Sequence, residues 1–118
     1  MTVGWKLDPA AHLALIEEFP PRYGRYIADH ITLPAADDAA LPQPAEEALV
    51  VGHADDGEGV EALIVALNGS TERPDGGTWH MTWSLGPGRR AQESNAVIAR
   101  CGWTALDPRP LLVYPAKW

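Results

Sequence analysis

The sequence predicts an α+β chain built on an antiparallel sheet with flanking helices. Three observations predict it. Short β-branched and aromatic runs end in turn residues, so hairpins outnumber crossovers. Two stretches carry helix start and stop signals. Helices and strands are mixed along the chain with no solenoid repeat or low-complexity tract. With 118 residues, 46% of them apolar, one domain spanning residues 1–118 is expected, burying about two-thirds of the unfolded surface.

The elements follow in order. Residues 8–19 read as a helix, with Asp8 as N-cap, Pro9 in the first helical position and Leu13, Ile16 and Phe19 as an apolar stripe. Pro20-Pro21 ends it. Residues 25–33, RYIADHITL, read as one strand closed by Pro34, and residues 34–45 as a loop. Residues 47–54 and 60–67 are apolar runs around Asp55-Asp56-Gly57-Glu58-Gly59, which predicts a hairpin. Asn68-Gly69 and residues 74–77 mark further turns. Residues 78–85, TWHMTWSL, alternate over eight positions and stop at Gly86-Pro87-Gly88. Residues 92–101 read as a short helix with Gly102 as its C-cap, and a final strand covers about 110–114.

Nine Lys and Arg against sixteen Asp and Glu leave a net charge of −7. Such a chain repels polyanions at long range, which argues against duplex DNA as a partner. A small phosphorylated ligand or one RNA end stays compatible, given a local basic pocket. The single cysteine, Cys101, allows no internal disulfide and suits a reducing compartment. No basic segment followed by an apolar run opens the chain, and no apolar stretch is long enough to span a bilayer. A cytoplasmic protein without a membrane partner is expected; the sequence is silent on oligomeric state.

One short pattern occurs twice: His-Ile-Thr-Leu at residues 30–33 and His-Met-Thr-Trp at residues 80–83. Side chains alternate faces along a strand, so His30 and Thr32 share one face and Ile31 and Leu33 the other. In the second copy Thr78, His80, Thr82 and Ser84 share a face, opposite Trp79, Met81, Trp83 and Leu85. The apolar face anchors each strand, and the polar face is left for solvent or ligand. Phosphodiester hydrolysis needs a base for the attacking water and an acid for the leaving oxygen. Two imidazoles supply both near neutral pH. Each Thr lies about 6.5–7 Å along the same face, where its hydroxyl can donate to a phosphate oxygen. The scheme requires no metal and no cofactor.

These two motifs resemble the paired motifs of the two-histidine (2H) phosphoesterase superfamily, which includes RNA 2′,3′-cyclic phosphodiesterases and the phosphodiesterase modules of tRNA ligases. The run WHMTWSLGPGRRAQESN at 79–95 is similar to a small branch associated with RNA repair. The resemblance implies a pseudo-two-fold fold with one motif on each half, His30 and His80 as the acid–base pair, and Thr32 and Thr82 as phosphate ligands. The implied partner is a cyclic nucleotide or an RNA terminus, hydrolysed at a 2′,3′-cyclic phosphate. The alternative is a nucleotide-binding or regulatory domain that keeps the fold without turnover.

Other residues carry expectations of their own. Arg89, after the 86–88 turn, is a candidate phosphate clamp because Arg pairs bidentately with phosphate. Tyr26 shares the His30 face by strand parity and is a candidate base-stacking residue. His53 with Asp55 and Asp56 has the spacing of a hairpin turn rather than of a metal site. Cys101 has no partner base in the sequence and is not assigned as a nucleophile.

Overall fold

A computed structural model describes residues 2–34 and 41–118. The described residues form two antiparallel sheets and two helices. Its Cα radius of gyration of 13.2 Å is close to the ~13–14 Å expected for a compact chain of this length.

Strand β1 (Val3–Leu7) leads into helix α1 (Pro9–Glu18). The Asp8 carboxylate caps α1 by accepting from the amides of Ala10 and Ala11, and Pro9 stands in the first helical turn as read from the sequence. Then follow β2 (Arg25–Tyr26), β3 (His30–Thr32), β4 (Ala48–Asp55), β5 (Val60–Leu67) and β6 (His80–Leu85). Helix α2 (Glu93–Cys101), β7 (Thr104–Pro110) and β8 (Val113–Lys117) complete the chain. The smaller sheet has the order β3-β1-β8 and the larger β2-β6-β5-β4-β7. The expected pseudo-two-fold sheet is thus divided unequally, three strands against five. Part of the 34–45 loop lies outside the described residues.

The strand expected over residues 25–33 is two strands in two sheets. Ala28 takes a positive φ of 44°, which breaks the extended backbone, and the chain passes there from the larger sheet to the smaller. Tyr26 pairs with Ser84 in one sheet, and Lys6 pairs with His30 in the other. The amides of Ile27 and Ala28 bond to the carbonyls of Trp83 and Thr82. That seam sets β3 beside β6 and brings the two motifs together.

The main core lies between the sheets. Trp5, Leu7 and Ile31 from the smaller sheet meet Leu63, Val65, Met81 and Trp83 from the larger. The opposite face of the larger sheet is covered by α2, where Ile98 packs on Ala62 and Ile64. On β6 the Thr82 hydroxyl meets Ser94 of α2, and His80, Thr82 and Ser84 are all buried. Of the polar face that the sequence pattern leaves for solvent or ligand, His80 and Thr82 line a cleft, whereas Ser84 does not. A register shift between Glu61 and Ala62 places an extra residue on β6, and the bulge turns Ser84 away from the His80 face. Ser84 instead donates to the buried Glu61 carboxylate at 2.6 Å. No helix among the described residues is long and apolar enough to cross a membrane.

Candidate functional site

His30, Thr32, His80 and Thr82 all line one cleft of about 900 Å³. They reach it from two strands of two different sheets. On β3, Ile31 points into the core with no exposure, so the period-2 alternation turns His30 and Thr32 the other way, into the cleft. On β6, Met81 and Trp83 play the same part for His80 and Thr82.

His80 is 9% exposed. Its Nδ1 lies 2.8 Å from the Thr78 carbonyl oxygen, which only accepts. Nδ1 therefore carries the proton, and Nε2 has the free lone pair in the neutral ring. Burial pushes its pKa below the usual histidine value. The Thr78 carbonyl opposes that shift, while the nearby positive charges of Arg73 and His30 add to it and Asp75 counters them.

His30 is less deeply placed, with 22% of its side chain exposed. Burial lowers its pKa too, but Asp29 pulls the other way. The Asp29 carboxylate sits 3.6 Å from Nδ1, an ion-pair distance that is too long for a hydrogen bond. The Trp118 ring leans on the imidazole at 4.5 Å between centroids and 49° between planes. Reciprocal backbone bonds of 2.9 Å to Thr2 hold Trp118 there.

The two threonines differ. Thr32 is half-buried at the cleft wall. The Thr82 hydroxyl already has partners in and next to α2: Ser94 Oγ at 2.9 Å and the Ala91 carbonyl at 3.3 Å. It must release its bond to Ala91 or Ser94 before it can donate to a ligand.

Two other expected site residues lie elsewhere. Arg89 does not line this cleft. It is drawn to the β4–β5 turn, where Nη2 stands 3.0 Å from Asp56, Nη1 donates to the Glu58 carbonyl at 2.6 Å and Nε donates to Glu93 at 3.0 Å. Two carboxylates thus already occupy the fork expected to clamp phosphate. Tyr26 lies outside the cleft as well, 54% exposed and 6.0 Å from the His12 ring. Its supposed shared face with His30 depended on an unbroken strand, and Ala28 breaks it.

His53, Asp55 and Asp56 are engaged by the protein itself. His53 Nε2 bonds Glu61 at 2.8 Å, Asp55 accepts from Tyr23 and Arg22, and Asp56 accepts from two amides of its own turn. Among the described residues no three His, Cys, Asp or Glu side chains group to form a candidate metal site.

The cleft also holds residues that sequence reasoning missed. Arg73 lines it at 8% exposure, as do Trp103 and Trp118. Arg73 precedes the turn at 74–77, and the proximity of that turn to the end of β6 was the available signal. Comparison of the chain with family models, with curated proteins and with solved structures finds no match.

Proposed function

We propose that this chain is a phosphodiesterase that opens a 2′,3′-cyclic phosphate, on a nucleotide or at an RNA end, with two histidines as general base and general acid and without a metal. The observation that carries this reading is the meeting of His30, Thr32, His80 and Thr82 in one cleft. The electrostatics divide the roles. His80 is neutral near pH 7, with Nε2 as its open lone pair, so it takes the proton of the attacking water. His30 has the Asp29 carboxylate beside it, which opposes without reversing the fall in pKa that burial causes; a bound phosphate then favours its imidazolium, so it protonates the leaving ribose oxygen. After one turnover His80 is charged and His30 neutral, and exchange with solvent restores the pair. Thr32 donates to a non-bridging oxygen, and Thr82 does so once its hydroxyl turns from α2. A cytoplasmic setting fits this substrate class.

The rival reading, a nucleotide-binding domain without turnover, draws on the Thr82 hydroxyl being already engaged by Ser94 and Ala91. One experiment separates the two. The chain is incubated with 2′,3′-cyclic nucleoside monophosphates, with and without chelator, and the products are resolved by chromatography. Accumulation of a single 2′- or 3′-monophosphate in both conditions is expected. Binding without product would favour the rival, and activity restored only by a divalent ion would overturn the two-imidazole scheme.

A further inference from the structure

Nothing in the two His-Thr motifs supplies a fixed positive charge, and the residue expected to supply it, Arg89, is held elsewhere. The chain carries a net charge of −7, so an anion needs a local cation to enter. Among the described residues, Arg73 is the one Arg or Lys that lines the cleft.

We propose that Arg73 is the phosphate-holding cation of this cleft, presented by a guanidinium cradle made of Asp75, Gly77 and Asn95. The inference rests on the reading of the cleft as a phosphodiester site.

The cradle is visible bond by bond. Arg73 Nε donates to Asp75 Oδ1 at 2.8 Å, and Nη2 donates to Asp75 Oδ2 at 3.0 Å and to Asn95 Oδ1 at 2.7 Å. Asn95 belongs to α2 and is fixed in turn by donating to the Gln92 carbonyl at 3.0 Å. The loop closes on itself through Arg73 N to Gly77 O at 3.0 Å and Gly77 N to Asp75 Oδ1 at 3.0 Å. Gly77 leaves room for the fork, since a Cβ there would stand 2.8 Å from Nη2. These bonds engage Nε and Nη2 and leave Nη1 for a ligand.

A buried, pre-oriented guanidinium loses little freedom when it binds an anion, and its charge-assisted bonds are stronger than neutral ones. Asp75 offsets part of its charge but also fixes its plane. Arg73 has a second effect through space: its charge disfavours protonation of His80, which keeps the proposed base neutral. The other groups bearing on that imidazole are His30, which acts in the same sense, and Asp75 and the Thr78 carbonyl, which act against it.

The test compares wild type with Arg73→Gln, Arg73→Lys and Asn95→Ala in full-length protein. Binding of a nucleoside 3′-monophosphate is measured by calorimetry, and the His80 ring is titrated by NMR. Arg73→Gln is expected to weaken binding by roughly 10–100-fold and to raise the His80 midpoint. Arg73→Lys restores only part of the affinity, because an ammonium cannot reproduce the fork. Asn95→Ala is expected to raise KM more than it lowers kcat.

A folded Arg73→Gln protein with unchanged affinity and an unmoved His80 titration would overturn the inference. Should that variant fail to fold, Arg73→Lys decides: weaker binding supports the cradle and unchanged binding overturns it. Wild type that binds the monophosphate through Arg73 yet opens no cyclic phosphate would sink the proposed function and leave this inference standing.

Discussion

Gly4 sets the distance between β1 and the strand that carries His30. It pairs with Thr32, and a Cβ built there would stand 2.0 Å from the Ile31 carbonyl oxygen and 3.0 Å from the Trp118 ring. Ordinary contact begins at 3.4 Å, so Gly4→Ala must open the β1–β3 pair by more than about 1 Å. On backbone entropy alone, replacing a strand glycine by alanine would gain ~0.5–1 kcal/mol. Here the obstacle is backbone rather than the end of a flexible side chain, and overpacking of that kind costs ~1–3 kcal/mol. The clash therefore wins, and Gly4→Ala is expected to be less stable than wild type. The shift falls on β3 and on Trp118, the two elements that place the His30 imidazole. A displacement near 1 Å of a catalytic group costs ~10²-fold in rate. Gly24→Ala is the control, because nothing lies within 4 Å of a Cβ there, and its stability should stay within ~0.5 kcal/mol of wild type. Urea unfolding gives the stabilities, and initial rates on a 2′,3′-cyclic nucleotide give the activity. If Gly4→Ala behaves like Gly24→Ala in both assays, this contact does not position His30.

Two further outcomes are expected. Burial lowers the pKa of both His30 and His80 from 6.5, so the bell-shaped profile of kcat/KM should lie on the acid side of that value, with limbs that belong to the coupled pair; the profile of kcat should move upward, because a bound phosphate favours the imidazolium. A free-enzyme bell centred above pH 7 would contradict the burial seen here. Glu61 is 2% exposed; burial alone would raise its pKa, but bonds from His53, the Arg22 amide and Ser84 prevail and lower it from 4.5. Its stabilisation is thus complete above that value and lost as pH falls through the lowered pKa. Glu61→Gln should cost ~1–3 kcal/mol in urea unfolding at pH 7, leave kcat unchanged and flatten the acid limb of stability; an undiminished stability at pH 7 would show that the charge does not hold this network together.

Local chemistry made much of the fold legible. Asp8 and Pro9 mark the start of α1, the Asp55–Gly59 turn marks the β4–β5 hairpin, and Gly102 marks the end of α2 with a φ of 71°. Other features depend on tertiary structure. Alanine has no preference for the left-handed region, so the break at Ala28 has no signature in the chain. Strand β1 is short and contains Gly4, which masks its alternation. Strand β7 carries Pro108 and Pro110, which argue against a central strand; it lies at the edge of the larger sheet, where proline is tolerated. The two His-Thr pairs could be read by parity because each flanks a core residue, Ile31 or Met81. Tyr26 and Ser84 could not, since a backbone break and a bulge each interrupt the count. Arg89 had the right chemistry and the wrong neighbours, Asp56 and Glu93, while Arg73 is held by Asp75, two residues on, and by Asn95 on α2, 22 residues away.

Our proposal makes His30 and His80 one acid–base unit acting on a single phosphate. It is tested most directly by the rates of His30→Ala, His80→Ala and the double variant on a 2′,3′-cyclic nucleotide, with folding checked by near-ultraviolet circular dichroism. Each single variant should lose ~10²–10⁴-fold in kcat, and the double should lose less than the product of the two, because residues that act as a unit are not additive. Either histidine removed with turnover intact would contradict the account.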